Sequence, residues 1–126
     1  MELRSSLSRA RGLGSAKEGV HHWWGQRVTA IALVPLSLWF VVSAIGLMGA
    51  DLPAFQAWIG SLFNAVLMVV LVAVLFYHAW LGMQVVIEDY VHGEAAKTTS
   101  LLIVKFALAV MAVACILAVA RLAIGA

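Results

Sequence analysis

The run HAWLGMQVVIEDY, His78 to Tyr90, holds an imidazole among apolar neighbours and ends on two adjacent carboxylates and a phenol. On a helix, His78, Gly82 and Asp89 fall on one stripe, because four and eleven steps of about 100° return near the same face. A neutral imidazole is a good metal ligand, and glycine one turn away leaves room for a flat, bulky group against the backbone. Together they point to ligation of haem iron by His78. The plainer alternative is a histidine hydrogen-bonded to a serine hydroxyl or a carbonyl of a neighbouring helix.

Other polar groups stand near the same end. Arg27, with His21 and His22, reads as a cationic cluster at the depth that haem propionates or a quinone head would reach; ordinary anchoring of a helix end by cations is the alternative. Trp23 and Trp24 read as interfacial anchors. Asp89 and Tyr90 offer a carboxylate and a phenol that could relay protons or hydrogen-bond a carbonyl, or could form a solvated helix end. The sequence holds no phosphate-binding glycine loop and no nucleophile paired with a base, so no catalytic residue of hydrolysis or phosphoryl transfer is assigned.

The elements that must position these groups follow from composition. Of 126 residues, 64% are hydrophobic and 11% charged, which is the balance of an integral membrane protein. Each span takes about 20 apolar residues, so the chain is read as a single all-α membrane domain, 1–126, with three transmembrane helices over about 28–48, 62–87 and 101–124. Residues 1–19 form a polar tail, and 49–60 and 88–100 are loops, the first with a short interfacial turn around Phe55 to Trp58. Lys105 and Arg121 lie near the ends of the third span, where both can snorkel to the headgroups.

Cationic residues set the orientation. Arg4, Arg9, Arg11, Lys17 and Arg27 precede or open the first span and the first loop has none, so the N-terminus is cytoplasmic and the C-terminus lies on the opposite side. The HHWWGQR and IEDYVH segments then share the cytoplasmic face. A net charge of +2 gives no reason to expect nucleic acid. Cys115, the one cysteine, reads as a buried, packing thiol.

If Asp89 marks the membrane boundary, eleven residues at about 1.5 Å each place His78 roughly 16 Å deep, near the bilayer centre. His21, His22 and His92 then lie too far along the normal to reach an iron bound by His78. A six-coordinate haem here would need its second ligand from another chain. An alternative of another class, a small oligomeric proton or cation carrier, would need an acidic relay, and no Asp or Glu lies inside any expected span. A further alternative is an anchor that has lost its haem or binds it without a quinone site.

HAWLGMQVVIEDYVH, His78 to His92, and GVHHWWGQRVTAI, Gly19 to Ile31, resemble the two signatures of the small hydrophobic membrane anchor of succinate dehydrogenase, respiratory complex II. The two motifs occur in order on separate helices, and the size and the three-helix pattern agree over nearly the whole chain. The resemblance implies that His78 is an axial ligand of haem b iron, the other histidine coming from the companion membrane anchor of the complex. It implies that Tyr90 hydrogen-bonds a quinone, ubiquinone by expectation, with Asp89 beside it. Arg27 and His21 would border the haem propionates and the quinone pocket, while His22 and the tryptophan pair receive no role. The implied partners are the companion anchor, the iron–sulfur subunit, the flavoprotein subunit, where succinate is oxidised, and membrane lipid. The implied location is the inner (cytoplasmic) membrane, as a multi-pass protein. A fumarate reductase anchor shares this architecture and is the nearest alternative.

Overall fold

The computed structural model describes residue 6 and residues 16–125, with side chains from Gly19 onward. Arg4, Arg9, Arg11 and the Lys17 side chain, on which the charge asymmetry rests, lie outside the described residues. Four helices follow: α1 (Ala16–Gly46), α2 (Leu52–Gly60), α3 (Leu62–Tyr90) and α4 (Glu94–Ile124). Three of them, α1, α3 and α4, are long and apolar enough to cross a membrane. There is no strand among the described residues.

The long helices overrun their hydrophobic stretches. α1 is already helical at Ala16, because GVHHWWGQR carries no proline and helical hydrogen bonding continues out of the apolar region. α4 starts at Glu94 rather than Leu101, since EAAKTTS contains neither glycine nor proline. The expected loop 88–100 therefore shrinks to Val91–Gly93. Gly93 turns the chain at φ +94, a conformation that suits a residue without Cβ.

The first expected loop is mostly helix as well. Asp51 caps α2 by accepting from the Ala54 amide at 3.0 Å, and Pro53 sits in its first turn, where a missing amide costs nothing. Ile59 of α2 is only 1% exposed, and Trp58 stacks on Trp39 of α1 with ring centres 5.7 Å apart. Asn64 Nδ2 donates to the Trp58 carbonyl at 2.9 Å, which holds the corner between α2 and α3. The aromatic turn expected near Phe55 to Trp58 is thus a helix packed onto the bundle end.

The spanning helices form a row with α3 in the middle. α1 packs on one side of α3 and α4 on the other, and α1 and α4 do not meet among the described residues. Both contacts are antiparallel: the N-terminal end of α1 and the α3–α4 link share one end of the bundle, while α2 and the Ala123 region of α4 share the other. Few side chains are buried within the chain, chiefly Thr29, Leu36, Ile59, Leu71, Leu81 and Ile87. In a membrane such outward apolar faces meet lipid or other helices. Cys115 is exposed on α4, so the expectation of a buried thiol fails; in a single row the far face of an edge helix has nothing to pack against.

Candidate functional site

His78 is half-buried on α3 and turns towards α1. Its Nδ1 lies 2.8 Å from the Thr29 hydroxyl oxygen. Thr29 is 8% exposed, and its hydroxyl donates to the Gly25 carbonyl at 2.6 Å, with the Gln26 carbonyl at 3.2 Å. A hydroxyl bound back to the carbonyl four residues earlier is a common habit of threonine in helices, and here it fixes the oxygen that faces His78. The second ring nitrogen of His78, Nε2, has no hydrogen-bond partner among the described residues. The plain reading, a histidine bonded to a neighbouring helix, is therefore satisfied by one nitrogen and leaves the other free.

Gly25 favours this approach, and Gly82 faces it without being required for it. A Cβ built on Gly25 would come within 3.1 Å of Leu81 Cδ1, tighter than most carbon contacts, so a side chain here would press on Leu81 in the seam. A Cβ on Gly82 would stand 3.9 Å from Gln26 Nε2, an ordinary contact. His22 Nε2 donates to the Leu81 carbonyl at 3.2 Å and closes the seam one level further out. His78 and Gly82 do share a face, as their spacing indicates, and that face is turned to α1.

The antiparallel register also fixes levels. Thr29 faces His78 and Gln26 faces Gly82, which brings Arg27 level with Trp80 and Trp24 level with Met83. Arg27 does not open α1; it stands well inside it, within about 3 Å along the axis from Thr29. Its guanidinium lies 5.4 Å from the Trp23 ring centre, drawn back towards the helix start as long helical side chains are. If Trp23 and Trp24 mark the interface, His78 lies only about 8 Å below it, since five residues separate Trp24 from Thr29. The sequence estimate of about 16 Å took Asp89 as the boundary, but α3 runs on beyond the tryptophan level to Tyr90.

The expected cationic cluster is spread out. His21 is exposed and lies six residues from Arg27, about 9 Å along α1 and about 120° around it, while His22 turns to α3. Asp89 is exposed and Tyr90 is 77% exposed at the end of α3, some ten residues beyond the level of Arg27. His92 is exposed in the link. These groups share one end of the bundle without forming one layer above His78. No group of three or more His, Cys, Asp or Glu stands together as a metal site among the described residues, so His78 would be a single ligand completed from elsewhere.

Comparison with known proteins fits a chain built in this way. The family described as Succinate dehydrogenase/Fumarate reductase transmembrane subunit matches residues 1–118. The chain belongs to that family. It is 36% identical over 118 residues to the succinate dehydrogenase hydrophobic membrane anchor subunit of Rickettsia conorii (strain ATCC VR-613 / Malish 7), covering 93% of this chain and 94% of that protein. Its likeness to the same subunit of Rickettsia bellii (strain RML369-C) is 37% over 118 residues, 94% of each chain. The corresponding subunit of Paracoccus denitrificans is 35% identical over 117 residues, 93% of this chain and 90% of that protein.

As a multi-pass membrane-anchor subunit of succinate dehydrogenase, the chain holds one residue, Thr29, and one contact, between Lys105 and Trp80, that its sequence did not single out. A lone hydroxyl in an apolar run usually satisfies itself on its own helix, so Thr29 carries little signal in the sequence beyond its place four residues after Gly25. Lys105 lies eleven residues inside α4 rather than near its start, with its ammonium 5.8 Å from the Trp80 ring centre. Its side chain points back along the helix, as snorkelling requires, and rests on an aromatic face.

Proposed function

We propose that this anchor subunit supplies His78 as one axial ligand of a b-type haem shared with the companion membrane anchor, and helps to form the site where succinate-derived electrons reduce ubiquinone. The observation that carries the reading is the state of His78: one ring nitrogen is held by α1 and the other has no partner among the described residues. A structural histidine needs the first and has no use for the second. The residues present fit the group, because a half-buried imidazole with one ring nitrogen open among the described residues is a single-ligand donor. Arg27 is near in level but about 160° round α1 from Thr29, so it would meet an anionic propionate only along the flank of α1.

A haem held there would supply one-electron storage beside the path from the iron–sulfur subunit to the quinone. The quinone itself takes up two electrons and two protons, so its carbonyl oxygens need donors as negative charge builds on them. Tyr90 can donate its phenolic hydrogen to one carbonyl oxygen, and Asp89 beside it can pass protons from the aqueous side. Both stand exposed at the bundle end that also carries the start of α1 and the α3–α4 link. That end is where the iron–sulfur and flavoprotein subunits would dock, on the cytoplasmic face of the inner membrane, and they would close the pocket that Tyr90 leaves open. His21, exposed at the same end, would border the pocket.

Two variants of the purified four-subunit assembly test this. His78→Ala should remove the b-type signal from the reduced-minus-oxidised visible spectrum; an unchanged spectrum would rule out the ligand. Tyr90→Phe should lower succinate-driven quinone reduction about 100-fold while leaving succinate oxidation by an artificial dye untouched. Quinone reduction at the wild-type rate would remove Tyr90 from the site.

A further inference from the structure

Thr29 has one proton and three neighbours that can compete for it, of which the Gln26 carbonyl, at 3.2 Å, is the most distant. The Gly25 carbonyl oxygen has no hydrogen of its own and lies 2.6 Å from Oγ1. Two oxygens that close repel each other unless a proton lies between them, so the Thr29 hydrogen is committed to Gly25. Oγ1 can then only accept from His78, at 2.8 Å. The proton of neutral His78 must therefore reside on Nδ1, which leaves the Nε2 lone pair bare. The alternative tautomer would put two lone pairs face to face, at Oγ1 and Nδ1, inside a seam where Thr29 is 8% exposed and water cannot relieve them.

We propose that Thr29, oriented by the Gly25 carbonyl, is a positioning residue that fixes the tautomer and ring orientation of His78 and strengthens its Nε2 as an electron donor. The inference rests on the haem-ligand reading of His78 and goes beyond it, because ligation alone does not require a partner on Nδ1. A hydrogen bond accepted from Nδ1–H shifts negative charge into the ring and makes Nε2 the more basic ligand. A stronger donor favours ferric over ferrous iron, so the Thr29 oxygen holds the midpoint potential down. The Gly25–Thr29–His78 chain also fixes the free nitrogen before any group arrives, because Gly25 allows α1 close enough for Oγ1 to reach the ring.

The test is redox potentiometry of the purified assembly, with haem content measured alongside. Thr29→Val keeps shape and removes the acceptor; the haem should remain and the ferric-to-ferrous ratio at fixed potential should fall about threefold to tenfold, the upper figure being a rise of 59 mV for one electron. The electron paramagnetic resonance position of the ferric haem should move with it. Thr29→Ser restores the hydroxyl and should return both readings to the wild type. Thr29→Cys, a weaker acceptor that also preserves packing, should fall between the two and serves if the valine variant does not assemble. Wild-type potentials in the valine or cysteine variant would overturn the role of Thr29. Should His78→Ala keep its haem, the ligand reading would fall and this inference with it; should His78→Ala lose haem while Thr29→Val behaves as wild type, only the inference falls.

Discussion

The two seams of α3 are built differently. Towards α1 the contact is tight and polar: Gly25 lets the backbones approach, Thr29 reaches His78, and His22 reaches the Leu81 carbonyl. Towards α4 the contact leaves an apolar groove of about 310 Å³ between Phe76, Tyr77 and Trp80 on one helix and Leu108, Ala109 and Ala112 on the other. In lipid, where two apolar faces gain little by leaving water, close packing and hydrogen bonds set which helices hold each other rigidly. The α1–α3 seam has both, and it is the one that carries the histidine. The α3–α4 seam is at least as extensive along the helices but leaves this groove unfilled within the chain.

Adding the same three carbons to each seam separates them. Gly25→Val places a branched side chain where even one carbon would be 3.1 Å from Leu81 Cδ1, so the buried Leu81 side chain or α1 itself must give way. Overpacking of this kind costs about 1–3 kcal/mol, and a shift of α1 also pulls Thr29 from His78. The expected reading is a lower midpoint for detergent-induced unfolding, with haem lost before the helices separate. A Gly25→Val assembly as stable as the wild type would show that the approach of the two helices is not limited by this contact.

Ala112→Leu is expected to have the smaller effect, within about 1 kcal/mol, because the added carbons enter existing space. Its haem spectrum should stay unchanged. If it destabilised the assembly as much as Gly25→Val, the groove would have to be filled in the complex by something outside this chain, and the contrast between the seams would not survive.

How much could be read in advance differs between these regions for a physical reason. Three spans, their order and a histidine within one of them were legible because a run of apolar residues and a polar group within it are local properties of the chain. Helix ends were not, since hydropathy marks where lipid is and not where helical hydrogen bonding stops; EAAKTTS and GVHHWWGQR are polar and helical at once. Depth depends on which residues mark the boundary, since α3 carries Asp89 past the level of the tryptophans. Arg27 and His21 looked like one cluster because they are close in sequence, yet six residues place them on different sides of α1.

The sequence by itself determined the membrane, the helices, the two motifs and the candidate ligand, since each depends on residue type and on spacing along one chain. Only the tertiary structure decided which nitrogen of His78 is engaged, because that depends on the register between α1 and α3. That register is set by a missing side chain at Gly25 and by the direction of one hydroxyl at Thr29, two features that carry no signal until the second helix is beside them.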